Sequence, residues 1–362
     1  MRANDRKRLH YLIIMKRILL LPFLAIFIAL NLSAQEKNRQ YMVFGVAFYN
    51  LENLFDTINN NGKYDLEFSP QGARAWDGHK YRSKINKLAQ CISHMTSRTT
   101  PDGPAIIGVS EIENKSVLDD LVRAEAIRKW RLQVVHHDSP DRRGVDVGLL
   151  YNPRLFKVNN VTNTTLFIDG YPSFRTRDQM CVSGILGGDN VSIIVNHWPS
   201  RLGGQEQSSY LREAAARLSK HIADSIWAIR PDEGIIIMGD LNDDPQDKSC
   251  AVALGAKRNA KDVAPHGFYN PWWKMLDDGY GTLAYKGSWN LFDQIIVSGT
   301  LLDNNKKNGL DYWRCKINNF DFLIDQKGSR QGYPLRTYSG GAWLDGYSDH
   351  FPTEIFLRKE RR

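Results

Sequence analysis

Acidic, amide and imidazole side chains recur at the ends of apolar segments in this 362-residue sequence. The clearest case is IIIMGDLND, residues 235–243, in which four apolar residues predict a buried strand that stops at Gly239. Asp240 and Asn242 follow, at the point where a strand opens into a loop and scaffolds present their chemistry. Both residue types also form ordinary turns, so this segment alone does not establish a site.

Other segments of the chain repeat this arrangement of an apolar run that meets polar side chains. The residues at these further strand ends are Asn50, Glu111, His197, Asp293, and Asp349 with His350. Each has an ordinary explanation by itself, as a turn cap, an exposed charge or a paired histidine. If the strands share one layered core, however, their ends converge and the polar side chains form a common site. We therefore predict a single site that is assembled from six strand ends.

The side-chain types at these strand ends suit one kind of chemistry. Carboxylate and amide oxygens are preferred by a hard divalent cation, Mg²⁺ or Mn²⁺, rather than by zinc. A cation held by Glu111 and its neighbours would polarise a phosphoryl oxygen and stabilise a leaving group. His197 and His350, beside carboxylates, offer proton transfer or charge-assisted bonds to a phosphate. This inventory predicts the hydrolysis of phosphate esters by water.

Seven motifs resemble, in their order along the chain, those of the endonuclease/exonuclease/phosphatase superfamily. They are NLENLFD, SEIEN, RRGVDVGLLY, NHWPSR, GDLND, FDQI and SDHFP, and the resemblance spans Val43–Pro352. GDLND and the terminal SDH are the most specific of them. The superfamily includes pancreatic deoxyribonuclease, apurinic endonucleases, neutral sphingomyelinases and inositol-phosphate phosphatases. The resemblance implies an α+β fold, a four-layered α/β sandwich with two central mixed β-sheets flanked by helices.

The resemblance also implies a metal site and a water-activating group. Glu111 resembles the main ligand of the metal, and Asn50 and Asp349 lie in the motifs that complete its surroundings. Asp240 resembles the residue that orients and deprotonates the attacking water. Asn242 would aid this placement and contact the substrate phosphate. The cofactor implied by these residues is Mg²⁺, with Mn²⁺ as the other possibility.

Four further residues receive roles from the same resemblance. His350 resembles the catalytic histidine, and Asp293 stands in the position of the acid that pairs with it. His197 falls where the deoxyribonucleases carry a second histidine, which would act in catalysis and bind the substrate phosphate. Arg143 follows another arginine and precedes a glycine, so it is either a phosphate-binding residue or an exposed charge of a turn.

The elements that must position these residues alternate between strands and helices along the chain. Periodicity predicts an amphipathic helix from His79 to Met95, a hairpin between Val182 and Val195, and the longest helix from Glu206 to Ile229. Residues 301–345 read as a loop-rich excursion. Because no repeat or break in composition follows residue 41, residues 41–358 are predicted to form one catalytic domain.

The N-terminal residues have the layout of a secretory signal peptide. Two basic residues precede the apolar run Ile18–Leu30, and small residues follow it, which predicts a signal peptide over residues 1–34 with cleavage after Ala34. Residues 1–14 then lie upstream of a true start at Met15. No second apolar stretch follows, so no stable membrane span is expected after cleavage. The expected destination is the periplasm or the medium.

Charge and cysteine content constrain the partners only weakly. Residues 1–34 hold six of the 48 Lys/Arg and one of the 40 Asp/Glu, so their removal lowers the formal charge from +8 to +3. A weakly basic protein is compatible with a polyanionic partner without indicating one. Four widely spaced cysteines match no zinc motif and allow three disulfide pairings, with buried thiols or one bridge preferred. They are Cys91, Cys181, Cys250 and Cys315.

Three hypotheses for function follow from these patterns. The first is an exported, Mg²⁺-dependent phosphodiesterase, an endonuclease or exonuclease that acts on nucleic acid. The second is the same chemistry on a phospholipid head group or a small phosphate ester, as in sphingomyelinases or inositol phosphatases. The third, a non-catalytic phosphate-binding module, is disfavoured because every acid and both histidines are present. No protein partner is predicted.

Substrate choice is expected to depend on three loops, residues 56–78, 166–180 and 250–286. These loops carry the aromatic residues Trp76, Phe174, Trp272 and Trp273. Such side chains can stack on bases, insert into a lipid surface or only pack locally, and the sequence does not choose among these roles.

Overall fold

The computed structural model of the protein describes residues 40–58, 67–302 and 309–361. Residues 43–359 form one compact unit. The signal peptide predicted for residues 1–34, with its cleavage site and start, lies outside the described residues. Within the described ranges, no helix combines the length and the apolar character that crossing a bilayer requires.

Strands and α-helices alternate along the chain. The first half contains β1 (Tyr41–Leu54), α1 (Gly78–Ser93), β2 (Ile106–Ile112), α2 (Lys115–Arg123), β3 (Gln133–His136), β4 (Asp146–Tyr151), β5 (Phe156–Thr164), β6 (Gln179–Leu186) and β7 (Asp189–His197). The second half contains α3 (Gln205–Ile229), β8 (Gly234–Asp240), β9 (Ala256–Lys257), β10 (Phe268–Tyr269), α4 (Trp273–Asp277), β11 (Leu283–Tyr285), β12 (Ser288–Asn290), β13 (Asp293–Ser298), β14 (Asp311–Ile317), β15 (Tyr338–Ser339), β16 (Ala342–Trp343) and β17 (Thr353–Glu360). Single turns of 3₁₀ or π-helix connect several of them.

Two large mixed sheets organise these strands. The first sheet has the order β14-β17-β1-β2-β4-β3, and the second has the order β5-β6-β7-β8-β13-β10-β9. Most neighbours are antiparallel, but β1 pairs with β2, β7 with β8, and β9 with β10, in parallel. The predicted hairpin is formed by β6 and β7, and Gly187 and Gly188 supply the positive φ angles that its tight turn requires.

The sheets pack face to face, and helices cover their outer faces. A Cβ added to Gly108 of β2 would lie 2.4 Å from Met238 Sδ of β8, so this glycine permits the close approach of the sheets. Apolar residues of α1 and α2, among them Leu88 and Leu118, pack on the first sheet. Small residues of α3, such as Ala216, pack on the second. The four-layered α/β sandwich predicted from the sequence is confirmed.

Several element boundaries differ from those expected. The sequence predicts a helix that Asn114 or Ser116 caps and that runs to Trp130, but helix α2 ends at Arg123, because Ala124 adopts a non-helical conformation with ψ of 142°. Strand β13 begins at Asp293, and the preceding strand β12 pairs with β11 instead. The segment predicted as loop-rich contains β14, an edge strand whose side chains are half-buried or exposed on both faces. Residues Trp313–Ile317 alternate between apolar and basic side chains, a strand signal that the loop-rich composition around them obscures.

Gly346 permits a close contact behind the segment that carries Asp349 and His350. A Cβ at this position would lie 2.2 Å from the backbone oxygens of both Leu335 and Arg336. We expect Gly346→Ala to lower the free energy of unfolding by about 1–3 kcal/mol, because the backbone must move to relieve this overlap. Urea denaturation measures the loss.

Gly78→Ala serves as the matched control for this prediction. The added methyl group would meet the mobile end of the Arg82 side chain within a helix, where alanine is favoured over glycine. Equal stability of the Gly346→Ala variant and this control would contradict the prediction.

Candidate active site

Three of the predicted site residues lie side by side on the second sheet. His197 ends β7, Asp240 ends β8 and Asp293 begins β13. The strand register pairs His197 with Asp240, and Asp240 with Asp293. One row of strand pairing therefore places an imidazole and two carboxylates at the same edge of the sheet.

Asp240 lies at the centre of this group and is only 3% exposed. Its Oδ2 accepts a hydrogen bond from Asn50 Nδ2 at 3.0 Å, and its Oδ1 accepts one from the backbone N–H of Asn242 at 3.0 Å. His197 Nε2 and His350 Nε2 lie 3.6 Å and 3.9 Å from Oδ2. Burial raises the pKa of Asp240 to about 6, with His350 acting in the opposite direction and nearby carboxylates adding to the rise. A carboxylate of this pKa can accept a proton from water near neutral pH.

His350 and Asp293 form a tight buried pair. His350 Nδ1 lies 2.7 Å from Asp293 Oδ2, and Asp293 is fully buried. Burial disfavours the charged imidazolium, but Asp293, Asp240 and Asp349 outweigh it and hold the pKa of His350 well above its usual range. Its Nε2 faces Asp349 Oδ1 at 3.8 Å. With Nδ1 held by a carboxylate, Nε2 is presented to the cleft as a proton donor.

His197 has the opposite electrostatic environment. Burial, followed by the positive charges of Arg177, Arg143 and His350, lowers the pKa of His197 well below its usual range. Its Nε2 lies 3.9 Å from Glu111 Oε1, while its buried Nδ1 has no hydrogen-bond partner among the described residues. His197 is therefore neutral at pH 7 and suited to hydrogen bonding.

Four residues at the site have a left-handed backbone, which costs a non-glycine residue about 1–3 kcal/mol. They are Glu52, Asn53, Glu111 and Asn242, with φ of 48°, 50°, 58° and 51°. The register of β1 and β2 shifts at the first three of them, so these residues occupy bulges. The sequence predicts that both strands end before these residues. In the structure, the strands continue through the bulges, and the bulges redirect individual side chains.

Glu111 is held beside Arg143 by Asn53. The Asn53 backbone N–H donates to Glu111 Oε2 at 3.0 Å, and Arg143 Nη2 donates to Asn53 Oδ1 at 2.6 Å. Arg143 Nη1 lies 3.5 Å from Glu111 Oε1. The sequence allowed two roles for Arg143, a phosphate-binding residue or an exposed charge of a turn. These contacts place it at the cleft.

Asn242 is engaged by the segment that follows β7. Its Nδ2 donates to the backbone oxygen of Trp198 at 3.0 Å, and Arg201 Nε donates to its backbone oxygen at 2.8 Å. These bonds fix the turn after Asp240 against the turn after His197. The structure therefore gives Asn242 a positioning contact in addition to its predicted contact with phosphate.

An ion network beside the site, in which Glu52 is buried and Arg336 is half-buried, was not predicted from the sequence. Arg336 Nη2 donates to Asp349 Oδ2 at 2.8 Å, and Arg336 Nε donates to Glu52 Oε1 at 3.2 Å. Lys84 Nζ, also buried, lies 3.5 Å from Glu52 Oε2. Lys84 stands four residues before Leu88 on the apolar face of α1, which is a usable signal, whereas the amphipathic pattern predicts the lysines of this helix on the opposite face. Arg336 lies in an irregular segment and gave no signal.

The predicted metal ligands have the donor chemistry of a hard cation. Asn50, Glu111 and Asp349 contribute oxygen atoms from three separate segments, which suits Mg²⁺ or Mn²⁺. Glu111 Oε1 has only the long contacts to Arg143 and His197, so it retains lone pairs for a ligand. The residues present therefore fit a divalent cation, and these three would hold it.

Two other clusters bring potential ligand atoms within 4.8 Å of one another among the described residues, Asp240 with Asp293 and His350, and His136 with Asp138 and Asp146. In the first, the imidazole is bound to Asp293 at 2.7 Å, which describes an acid–histidine pair better than a metal site. In the second, His136 Nε2 lies 3.0 Å from Asp146 Oδ2, and this contact joins the end of β3 to the start of β4.

Asp244 contributes a pH dependence to stability. Burial raises its pKa to about 6, compared with about 3.9 in the unfolded chain. The folded protein then keeps a proton that the unfolded chain releases, so stability falls as pH rises from about 4 to about 6. Asn at this position can still accept the Leu291 N–H bond that Oδ1 now accepts at 2.7 Å. We expect Asp244→Asn to be more stable than wild type at pH 8 by about 1–3 kcal/mol, and equal at pH 4.

Urea denaturation between pH 4 and pH 8 measures this difference. The control is Asp224→Asn, which alters a half-exposed carboxylate paired with Lys220 on α3. A difference between Asp244→Asn and wild type that stays constant with pH would contradict the assignment.

The aromatic residues of the predicted specificity loops are largely used for packing. Trp76 Nε1 donates to the backbone oxygen of Phe55, and Trp272 Nε1 donates to that of Ile295, and both indoles are buried. Phe174 packs half-buried against the second core, and Trp273 is half-buried as well. Part of loop 56–78 lies outside the described residues. All four cysteines are free thiols, three of them buried, which agrees with the preferred interpretation of the sequence.

Comparison with known proteins defines the class of this chain. The sequence profile of the Endonuclease/Exonuclease/phosphatase family matches residues 45–359. The chain belongs to this family, whose members are phosphoester hydrolases. A comparison with curated protein sequences finds no match.

Solved structures of the same fold come from animals and bacteria. D. rerio TDP2, complexed with a single-strand DNA product, is 12% identical with a TM-score of 0.53, over 87% of this chain and 98% of that one. A mannosyl-6-phosphatase of Bacteroides thetaiotaomicron is 17% identical with a TM-score of 0.52, over 87% of this chain and 99% of that one. At these identities the similarity establishes the fold alone.

Proposed function

We propose that this protein is an exported, Mg²⁺-dependent phosphoester hydrolase in which Asp240 activates the attacking water. The observation that carries the proposal is the surroundings of the Asp240 carboxylate. It is buried, it ionises near pH 6, and it has an amide and two imidazoles within 4 Å. A base in this position can orient a water molecule and accept its proton as the phosphorus is attacked.

The remaining residues of the cleft have separate roles at the phosphate. When bound at Glu111, Asn50 and Asp349, Mg²⁺ would supply Lewis-acid stabilisation of phosphoryl charge. His350, charged and held by Asp293, places a donor beside the developing negative charge. Neutral His197 and cationic Arg143 add hydrogen bonds to the phosphate oxygens.

We propose a nucleic-acid phosphodiester as the substrate, cleaved in endonuclease or exonuclease fashion. D. rerio TDP2, which shares the fold, was crystallised with a single-strand DNA product. The second candidate is a small phosphate ester, because the bacterial mannosyl-6-phosphatase has the same fold. A phospholipid head group is a further candidate substrate, because it is a phosphate ester of the same chemistry. The pattern of residues 1–34 supports export to the periplasm or the medium.

A screen of phosphate esters tests the proposed function. Plasmid DNA, RNA, sphingomyelin, inositol phosphates and mannose 6-phosphate are each incubated with the purified protein and Mg²⁺, or with EDTA. We expect hydrolysis that EDTA abolishes and that Mg²⁺ or Mn²⁺ restores. Cleavage of lipid or small esters without cleavage of nucleic acid would overturn the substrate assignment. No hydrolysis of any ester, with metal bound, would favour a non-catalytic phosphate-binding module.

Export has its own measurement. N-terminal sequencing of the protein expressed in its host, after separation of the medium, periplasm and cytoplasm, is expected to find a chain that begins at Gln35 outside the cytoplasm. A cytoplasmic chain with residues 15–34 intact would contradict export.

A further inference from the structure

A cavity lies next to the predicted catalytic cleft, with Asn53 in the wall between them. Its volume is about 240 Å³, and among its lining residues are Glu52, Asn53, Arg74, Arg336 and Ser339. Asn53 also binds Glu111 through its backbone N–H and Arg143 through its side-chain oxygen. A group inside the cavity would therefore sit beside the phosphate that the cleft binds.

Two guanidinium groups line this cavity. Arg74 donates from Nε to Glu67 at 2.7 Å and lies over the ring of Tyr338 at 5.1 Å. Arg336 donates from Nε to Glu52 and from Nη2 to Asp349. Each arginine carries five N–H donors. Both side chains are about 30% exposed, at 29% and 32%, and among the described residues both keep donors that no protein oxygen accepts.

The carboxylate and amide oxygens of two lining side chains, Glu52 and Asn53, in contrast, already accept hydrogen bonds. Glu52 Oε2 accepts the backbone N–H of Thr337 at 2.7 Å and lies 3.5 Å from Lys84 Nζ, while its Oε1 accepts from Arg336. Asn53 Oδ1 accepts from Arg143. Among the charged and amide side chains of the wall, the open positions are therefore guanidinium donors. A ligand that only accepts hydrogen bonds, a phosphate or a carboxylate, satisfies such a wall, and guanidinium groups bind these anions in planar pairs of bonds.

We propose that this cavity binds a second anionic group of the substrate, adjacent to the ester that is cleaved. The proposal rests on the proposed function and narrows its substrate class to phosphate esters that carry a further phosphate or carboxylate. The next phosphate of a nucleic-acid strand and the second phosphate of a small bisphosphate share this chemistry. Arg74 is the specificity residue, because it lines the cavity and its hydrogen bonds and ring contact within the described part of the chain go to Glu67, Lys80 and Tyr338, outside the cleft.

Two matched substrate pairs test the proposal. The value of kcat/KM is measured with Mg²⁺ for the dinucleotide dTpdT against its 5′-phosphorylated form, and for fructose 6-phosphate against fructose 1,6-bisphosphate. We expect the added phosphate to raise kcat/KM about tenfold or more in one pair, as lost charge-assisted hydrogen bonds typically cost this much. The pair that shows the gain identifies the source of the anion.

Two variants test whether the gain in kcat/KM comes from the cavity. Arg74→Gln is expected to remove most of the gain while it changes kcat/KM for the substrate without the added phosphate by less than about twofold. Arg128→Gln is the matched control, because Arg128 is 67% exposed and pairs only with Glu125 on the surface. It should keep the full gain. Calorimetric binding of the same pairs to Asp240→Asn, with and without Arg74→Gln, gives a readout that needs no turnover.

The outcomes separate this proposal from the proposed function. Equal kcat/KM within both pairs, or a gain that survives Arg74→Gln, overturns the anion subsite and leaves the hydrolase assignment standing. If no ester is hydrolysed, the hydrolase assignment fails, and the calorimetric preference for the added phosphate still decides whether the cavity binds an anion.

Discussion

Asp240→Asn is expected to lower kcat/KM for phosphate-ester hydrolysis by about 10²–10⁴-fold, the contribution of a positioned general base. The amide keeps the size and shape of the carboxylate but cannot accept a proton from water. Its oxygen can still accept the hydrogen bond from Asn50 Nδ2 or from the Asn242 backbone. The folded state should be at least as stable as wild type at pH 8, because the substitution removes a buried charge whose pKa burial has raised to about 6.

Asp243, in the same GDLND motif, provides the control for this variant. Asp243→Asn weakens a buried ion pair with Arg212, whose Nε lies 2.7 Å from Asp243 Oδ1. Removing one partner of such a pair costs about 3–5 kcal/mol. We expect Asp243→Asn to lose stability in urea denaturation and Asp240→Asn to lose activity. Near-normal turnover by a folded Asp240→Asn protein would contradict the assignment of Asp240 as the water-activating base.

His350→Ala is expected to lower kcat/KM by about 10²–10⁴-fold, because it removes the proton donor that faces the phosphate site. The imidazole is held by Asp293 at 2.7 Å, and its Nε2 lies within 4 Å of Asp240 and Asp349. Asp293→Asn should have a smaller effect in the same direction, because it weakens the orientation and charge of the ring without removing it. Added imidazole should restore part of the activity of His350→Ala and none of that of Asp240→Asn.

Stability gives a second readout for the same pair. The pKa of His350 is raised in the folded protein, so the pair stabilises the fold fully below the unfolded value of about 6.5. This contribution is lost as pH rises through the folded pKa. The stability deficit of His350→Ala relative to wild type should therefore be greatest at pH 5–6. Wild-type rates in His350→Ala without imidazole would contradict the catalytic role.

Much of the site was predictable because its residues stand beside strongly patterned strands. The apolar run before Asp240 predicted a buried strand, and β8 ends at that residue. His197 was placed at the end of a hairpin arm, and it ends β7. The resemblance then linked these ends in a common site, and the register brings His197, Asp240 and Asp293 into one row.

Several features that the sequence does not predict depend on contacts between distant segments. Arg336 lies in an irregular segment, and its contacts with Glu52 and Asp349 bridge residues that are far apart in the chain. The amphipathic pattern of α1 predicts its lysines on the exposed face, but Lys84 is buried, and a lysine is rarely buried without partners. Its partners, Thr337 and Tyr347, come from distant segments. Strand β14 is a half-exposed edge strand, and its short alternation from Trp313 to Ile317 lies within a segment of loop-rich composition.

The sequence by itself determined the family, the two-sheet sandwich and the identity of the acids, amides and histidines at the strand ends. Apolar periodicity and each motif are short-range patterns, written within a few residues of each position, and the order of the motifs along the chain implies the family. Only the tertiary structure decided how those side chains pair, which histidine is charged, and that a donor-rich cavity adjoins the cleft. Burial and the distances between charges set these properties, and both depend on contacts between segments that the chain order does not place together.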